Sequence, residues 1–176
     1  QLTGYYPAAV KIFNQSHRVT VRDNLVIDNP HSNGVWWDVG NRDGVFVNNW
    51  VENAQVGFFF EISRGATVAG NVFVGCGRGA WALNAANVRV YHNTFVDSLA
   101  SFERNERSAV GDHFGWHPRT GPDVHEREGH VFVGNLLVAG ESFRKPLLRS
   151  EQPKALCARL ARPQVKEVDG NVYVRS

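Results

Sequence analysis

Two acidic residues stand 23 positions apart in matching surroundings, Asp38 within Gly34-Val-Trp-Trp-Asp-Val39 and Glu61 within Gly57-Phe-Phe-Phe-Glu-Ile62. A third segment of the same shape, Gly79-Ala-Trp-Ala-Leu-Asn84, has Leu83 at the acidic position. Read as strands, the alternation turns Val35, Trp37, Val39, Phe58, Phe60 and Ile62 inward. Trp36, Phe59 and Trp81 then face outward, beside Asp38, Glu61 and Leu83. If successive segments stack, Asp38 and Glu61 lie side by side with Cα atoms about 5 Å apart. Two carboxyls that close repel, so one keeps its proton to higher pH and the other ionises. An acid next to a base or nucleophile is what glycosidic bond hydrolysis requires. The outward aromatic stripe suits the apolar face of a sugar ring. The plainer alternative is a solvated Asp and Glu, with Trp36 and Phe59 covered by a loop; a facing like-charge pair is destabilising, which weighs against it.

Several other residues could serve such a site. Lys11 lies in Ala9-Val-Lys-Ile-Phe-Asn14, whose register is open by one residue. In one register Lys11 faces outward near Asp38 and would lower its pKa; in the other Ile12 and Asn14 do. Arg64 could orient an acidic or hydroxyl group, and His31 precedes the Trp36 strand. A polar stretch over 98–129 carries Asp112, His113, Trp116 and His117, and reads as an ordered lid that contacts substrate. His113 and His117 would share a metal only on a helix. Gly115 and Pro118 argue against one, so no metal site is expected. A second polar run, Asp123, His125, Glu126, Glu128 and His130, reads as mostly solvated, with Glu126 or Glu128 able to reach the cleft.

The elements that position these residues follow from a repeat. An Asn preceded and followed by apolar residues recurs at Asn24, Asn49, Asn71, Asn93, Asn135 and Asn171, at spacings of 25, 22, 22, 42 and 36. Three residues before each stand Val21, Phe46, Val68, Val90, Phe132 and Val168. Two residues after each stand Val26, Val51, Phe73, Phe95, Leu137 and Tyr173. Both columns are wholly apolar. A period near 22 residues with short strands and a corner Asn implies stacked coils, with the Asn amides bonding from coil to coil. The expected fold is an all-β, right-handed parallel β-helix forming one domain over 1–176, with loop insertions at about 98–129 and 141–163. A leucine-rich repeat lacks its Leu pattern here, and a sandwich would show hairpin turns every 8 to 12 residues.

Composition agrees. Val, Gly and Asn contribute 25, 17 and 15 of 176 residues, a β-branched and turn-forming bias that excludes a helical bundle. At 43% hydrophobic, the chain can bury a core. Its net charge of +2, from 19 basic and 17 acidic residues, is no footprint for nucleic acid. No apolar run is long enough for a membrane span. Cys76 and Cys157 are too few for a disulfide scaffold, and two free buried thiols are expected over one bridge. The chain has no Met and shows no signal segment, while Val172 to Ser176 still reads as strand. Both ends therefore read as cut from a longer protein.

The motif Trp36-Trp37-Asp38-Val39, followed one coil later by Phe59-Phe60-Glu61-Ile62-Ser63-Arg64-Gly65, resembles the W-[LW]-D-[WV] and F-[VF]-E-[VI]-[NS]-x-G motifs of many bacterial right-handed β-helix proteins. The resemblance covers roughly residues 10 to 100 and extends to the 112–135 stretch. Some relatives look like glycoside hydrolases acting on fucosides or xylan, and the wider superfold includes pectate lyases and polygalacturonases. Ser63-Arg64 stands where many relatives have Asn-His. The resemblance implies a carbohydrate-active protein, extracellular or periplasmic.

Three functions are weighed. The first is a glycoside hydrolase without cofactor, with Asp38 and Glu61 catalytic and Trp36, Phe59, Trp81, Arg64, Lys11, His31, His113, Trp116 and His117 binding a carbohydrate substrate. The second is a polysaccharide lyase, with Lys11 or Arg64 as base and Ca²⁺ held by acidic side chains. It ranks lower, because the sequence offers no cluster of three or four carboxylates. The third is a non-catalytic glycan-binding module.

Overall fold

The computed structural model describes residues 6–109 and 121–176. His113, Trp116 and His117 lie outside the described residues. Every pairing between neighbouring strands is parallel, and successive coils run over three faces. The first face holds β1 (Ala8–Phe13), the second halves of β3 (Leu25–Asp38) and β5 (Trp50–Glu61), β8 (Arg78–Leu83), β11 (Ala100–Glu103) and β14 (Leu148–Glu151). The second is the sheet of β2 (Thr20–Arg22), β4 (Arg42–Val47), β6 (Arg64–Ala69), β9 (Ala86–Tyr91), β12 (His130–Val133) and β15 (Val165–Asp169). The third joins the first halves of β3 and β5 to β7 (Val72–Val74), β10 (Thr94–Val96), β13 (Leu136–Ala139) and β16 (Val172–Arg175). The result is a parallel β-solenoid.

The two apolar columns stack in register, Val21–Phe46–Val68–Val90–Phe132–Val168 and Val26–Val51–Phe73–Phe95–Leu137–Tyr173. Their middle members are fully buried, whereas Val168 and Tyr173 at the last coil are exposed. On the first face bulky and small side chains share the interior. Trp37 and Phe60 fill one end of their column, and Ala82 and Phe102 follow on the next two coils.

The corner Asn residues form one continuous ladder. The backbone N–H groups of Asn24, Asn49, Asn71, Asn93 and Asn135 each donate to the Oδ1 of the next Asn, at 2.9 to 3.1 Å. Each side-chain amide from Asn49 to Asn171 reaches back to a carbonyl of the preceding coil, for example Asn71 Nδ2 to Phe46 O at 2.9 Å. Buried polar backbone at a tight corner must be paired, and Asn does so for two coils at once. Two further corners use smaller ladders, Asn41 with Ser63 and Cys76 with Ser98. Cys76 is buried, but Cys157 is exposed, on the short helix α1 (Lys154–Cys157), and both are free. The expectation of two buried thiols therefore fails for Cys157.

The chain rejoins the coil inside both insertions, as β11 and as β14. The excursion after β11 is pinned by two buried arginines. Arg104 donates to Gln152 Oε1 at 2.5 Å and to Arg162 O at 2.7 Å; Arg127 donates to Pro122 O at 3.1 Å and to the Asn105 carbonyl. Among the described residues no helix is long and apolar enough to cross a membrane.

His130, expected among solvated residues, is in the core instead. Its Nδ1 accepts the Val88 N–H at 3.1 Å, and its ring centroid lies 5.0 Å from that of Phe102. Burial pushes the imidazole down to about 3. The unfolded chain binds a proton at His130 below its ordinary value of 6.5, while the folded chain does not until much lower pH. That group alone should lower stability by about 2 kcal/mol between pH 7 and pH 5. Urea unfolding of the parent beside His130→Gln checks this; the variant, lacking the ring, should lose that much less.

Candidate active site

The last residues of β3 and β5 build the site. Trp36 pairs with Phe59 and Asp38 with Glu61 across neighbouring strands, and Trp81 and Leu83 follow on β8. The shared register comes from the one-coil spacing, and the outward direction from alternation against the core residues Trp37, Phe58 and Phe60. Trp36, Phe59 and Leu83 cluster with Val56 apart from the main core, with Trp81 packed against them.

The aromatic stripe is not an open platform. Trp36 stacks on Phe59 at 4.9 Å and 16°, and Phe59 on Trp81 at 4.4 Å and 6°. The Lys11 ammonium sits 3.5 Å from the Trp36 ring centroid, and the Arg78 guanidinium 4.0 Å from that of Trp81. Each ring face is thus taken by a neighbour along the solenoid axis, closed at the ends by cations. Trp36 and Phe59 are 1% and 0% exposed. The expectation of exposed rings at these two positions is corrected; Trp81 is half-buried, and its indole N–H has no acceptor among the described residues.

The carboxylates are also enclosed, Asp38 at 6% and Glu61 at 1% exposed. Each meets a cation. Lys11 Nζ lies 3.0 Å from Asp38 Oδ2, which settles the open register of β1, since Lys11 pairs with Trp36 and faces outward. The Arg107 guanidinium is ion-paired with Glu61. The turn that carries Arg107 is fixed by Asn105, whose Oδ1 accepts the Arg107 N–H at 2.9 Å and whose own N–H donates to Asn84 Oδ1 at 2.8 Å. Two acids and two bases therefore form a compensated quartet, and the like-charge cost of adjacent carboxylates is offset. Burial raises the Asp38 pKa above its ordinary value; the Lys11 hydrogen bond and charge, and the Arg107 charge, oppose this without reversing it.

Backbone strain marks the same two coils. The residue after the outward acid position is Asn14, Val39, Ile62 and Asn84 on successive coils, all with positive φ. Asn adopts that conformation readily. Val39 at 63° and Ile62 at 49° are β-branched, and such residues cost on the order of 1–3 kcal/mol there. Both are buried, and Gly121 approaches Ile62 closely enough that an added Cβ would lie 2.4 Å from its Cγ2. The strands end at Asp38 and Glu61, so the expected inward alternation of Val39 and Ile62 is replaced by a turn.

The remaining candidates disperse. Arg64 is ion-paired with Glu126 at 2.7 Å and lines a separate cleft. Glu126 is held below the ordinary carboxylate range, first by its hydrogen bond from Arg64. Glu128 pairs with Arg162 at 3.0 Å. His31 is exposed on β3 with no described contact to the acid pair. Among the described residues no group of three metal-ligating side chains converges. Sequence reasoning missed Arg107, which has no repeat partner; its only signal was its place in a charged insertion.

A sequence model of one family, described as "Right handed beta helix region", matches residues 4–95, which span β1 to β9 and both carboxylates. No curated protein and no solved structure matches the chain.

Proposed function

Because the chain belongs to the right-handed β-helix family, whose fold is compatible with carbohydrate-active proteins, we propose that it is a glycoside hydrolase working through Asp38 and Glu61. Fold alone does not assign the reaction. The observation that carries this reading is the in-register Asp38–Glu61 pair, enclosed and served by two cations. Asp38, whose proton is held to higher pH by burial, is the general acid. Glu61, ion-paired with Arg107, is the nucleophile or base. Lys11 and Arg107 are flexible, partly exposed side chains over the acids, and a sugar reaches the carboxyls by displacing them. Trp81 offers its half-buried ring edge. The reaction needs no cofactor, and a polymeric glycan places the protein outside the cytoplasm.

The test is a hydrolysis screen on plant and bacterial glycans with the intact chain, followed by a pH–rate profile on whatever is cleaved. The alkaline limb, where Asp38 loses its proton, should lie above the range of an ordinary aspartate and shift in Lys11→Met, which removes the opposing charge and so moves that limb further up. A limb unmoved by that change would separate Asp38 from the reaction. One observation favours a second reading. The near-complete burial of Glu61 also fits a non-catalytic glycan-binding module; glycan binding without reducing-end release would support it.

A further inference from the structure

The third face differs from the other two in what it turns outward. Its inward column runs from Val26 to Tyr173, so alternation sends the residues on either side of that column out. One outward column is Leu25, Trp50, Val72, Thr94, Leu136 and Val172 on neighbouring strands. The other, two residues further along each strand, runs from Ile27 to Val174 and is apolar at every position but Glu52. Leu25 is 66% exposed, Ile27 51%, Trp50 42%, Leu136 38%, Val172 56% and Val174 46%. The other apolar members are half-buried. The second face, by contrast, sends Arg22, Arg89, Glu167 and Asp169 outward among its apolar side chains, the mixture usual at a solvated surface.

Six strands at about 4.8 Å make this strip roughly 25 Å long. It leaves on the order of 600 Å² of apolar side chain in water, at the top of the range for the largest patch on a monomer. Two such strips face to face remove about 1,200 Å² from water, which reaches the size of a stable interface. A flat sheet face packs against another flat sheet face, about 10 Å away with side chains interdigitated. A second copy of the chain supplies that face, and a two-fold axis closes the pair. With the axis along the strands, β5 of one copy lies over β13 of the other and β7 over β10. Each Trp50 then meets the partner's Leu136, and the two Glu52 carboxylates stay apart. Glu52 is the strip's one charged side chain, and its Oε2 accepts the Trp50 indole N–H at 3.0 Å.

We propose that the outer side of the third face is a dimer interface, in which two copies of this chain pack strip to strip. The proposal rests on the area and composition of the strip and is independent of the carbohydrate reading. Asp38 and Glu61 stand at the far ends of β3 and β5, on the first face, so the paired solenoids leave them uncovered.

Sedimentation equilibrium of the intact chain, from about 1 to 100 μM, tests it. The mass should rise to twice the 19.6 kDa of one chain and stop there. Val72→Lys combined with Leu136→Lys places charges inside the strip and should give a monomer throughout. Both side chains point outward, so its circular dichroism spectrum should match the parent's. Glu52→Leu should act in the opposite direction. It removes a carboxylate that pairing must strip of water, and should tighten the dimer about tenfold or more. A parent that stays monomeric, a dimer that survives in the lysine pair, or a dimer no tighter in Glu52→Leu overturns the proposal. So does a mass that keeps growing past two copies, which is head-to-tail stacking through the coil ends. A monomer that pellets with phosphatidylcholine vesicles also overturns it and assigns the strip to a lipid surface.

Discussion

Asp38→Asn and Glu61→Gln should each lower turnover by about 10²- to 10⁴-fold, the usual worth of a positioned acid or base, on any glycan the parent cleaves. The amides keep the size of the side chains they replace. Both positions lie outside the main core, so the circular dichroism spectrum should stay close to that of the parent, while the urea midpoint should fall, because each enclosed carboxylate is paired with a cation. The two variants should differ in one respect. A substrate with a good leaving group needs little protonation, so it should restore much of the rate to Asp38→Asn and little to Glu61→Gln. Wild-type activity in both variants would remove the pair from the reaction and leave the binding module as the better reading.

The largest stability effect should come from the middle of the Asn ladder. Asn71 is buried; its Oδ1 accepts from the Asn49 N–H and Nδ2, and its Nδ2 donates to Phe46 O and Asn93 Oδ1. Asn71→Ala strands at least two buried backbone groups at once, at about 1–3 kcal/mol for each, so a loss on the order of 2–4 kcal/mol is expected. Asn24 makes the same kind of contact at the first, exposed rung. There water can replace the amide, and Asn24→Ala should cost no more than about 1 kcal/mol. Urea unfolding of the two variants side by side decides the matter; equal losses would mean that the ladder is decorative rather than structural.

Much of the frame was legible because a solenoid converts sequence distance into spatial adjacency. The columns from Val21 to Val168 and from Val26 to Tyr173, and the six-membered Asn ladder, could be written down before any coordinates. So could the juxtaposition of Trp36 with Phe59 and of Asp38 with Glu61. The register of Lys11 was legible only as a choice of two, since Ala9 to Asn14 lacks the Gly that opens the matching segments at Gly34, Gly57 and Gly79.

The site's environment was not legible in the same way. The rings of Trp36 and Phe59 were expected in the open, yet they close on each other and on Lys11. His130 was grouped with solvated neighbours, yet it is the first residue of β12 and accepts from Val88. Arg107 was not singled out at all, although it is the partner of Glu61. Arg107 lies in the excursion that leaves the coil after β11, where periodicity stops. By itself the sequence determined which residues share a face and which stack, because period and alternation are local rules that repeat every coil. Only the tertiary structure decided which of those outward residues meet water and which meet a counter-charge. Burial and pKa depend on whatever folds over a surface, and an aperiodic segment carries no register from which its landing place can be read.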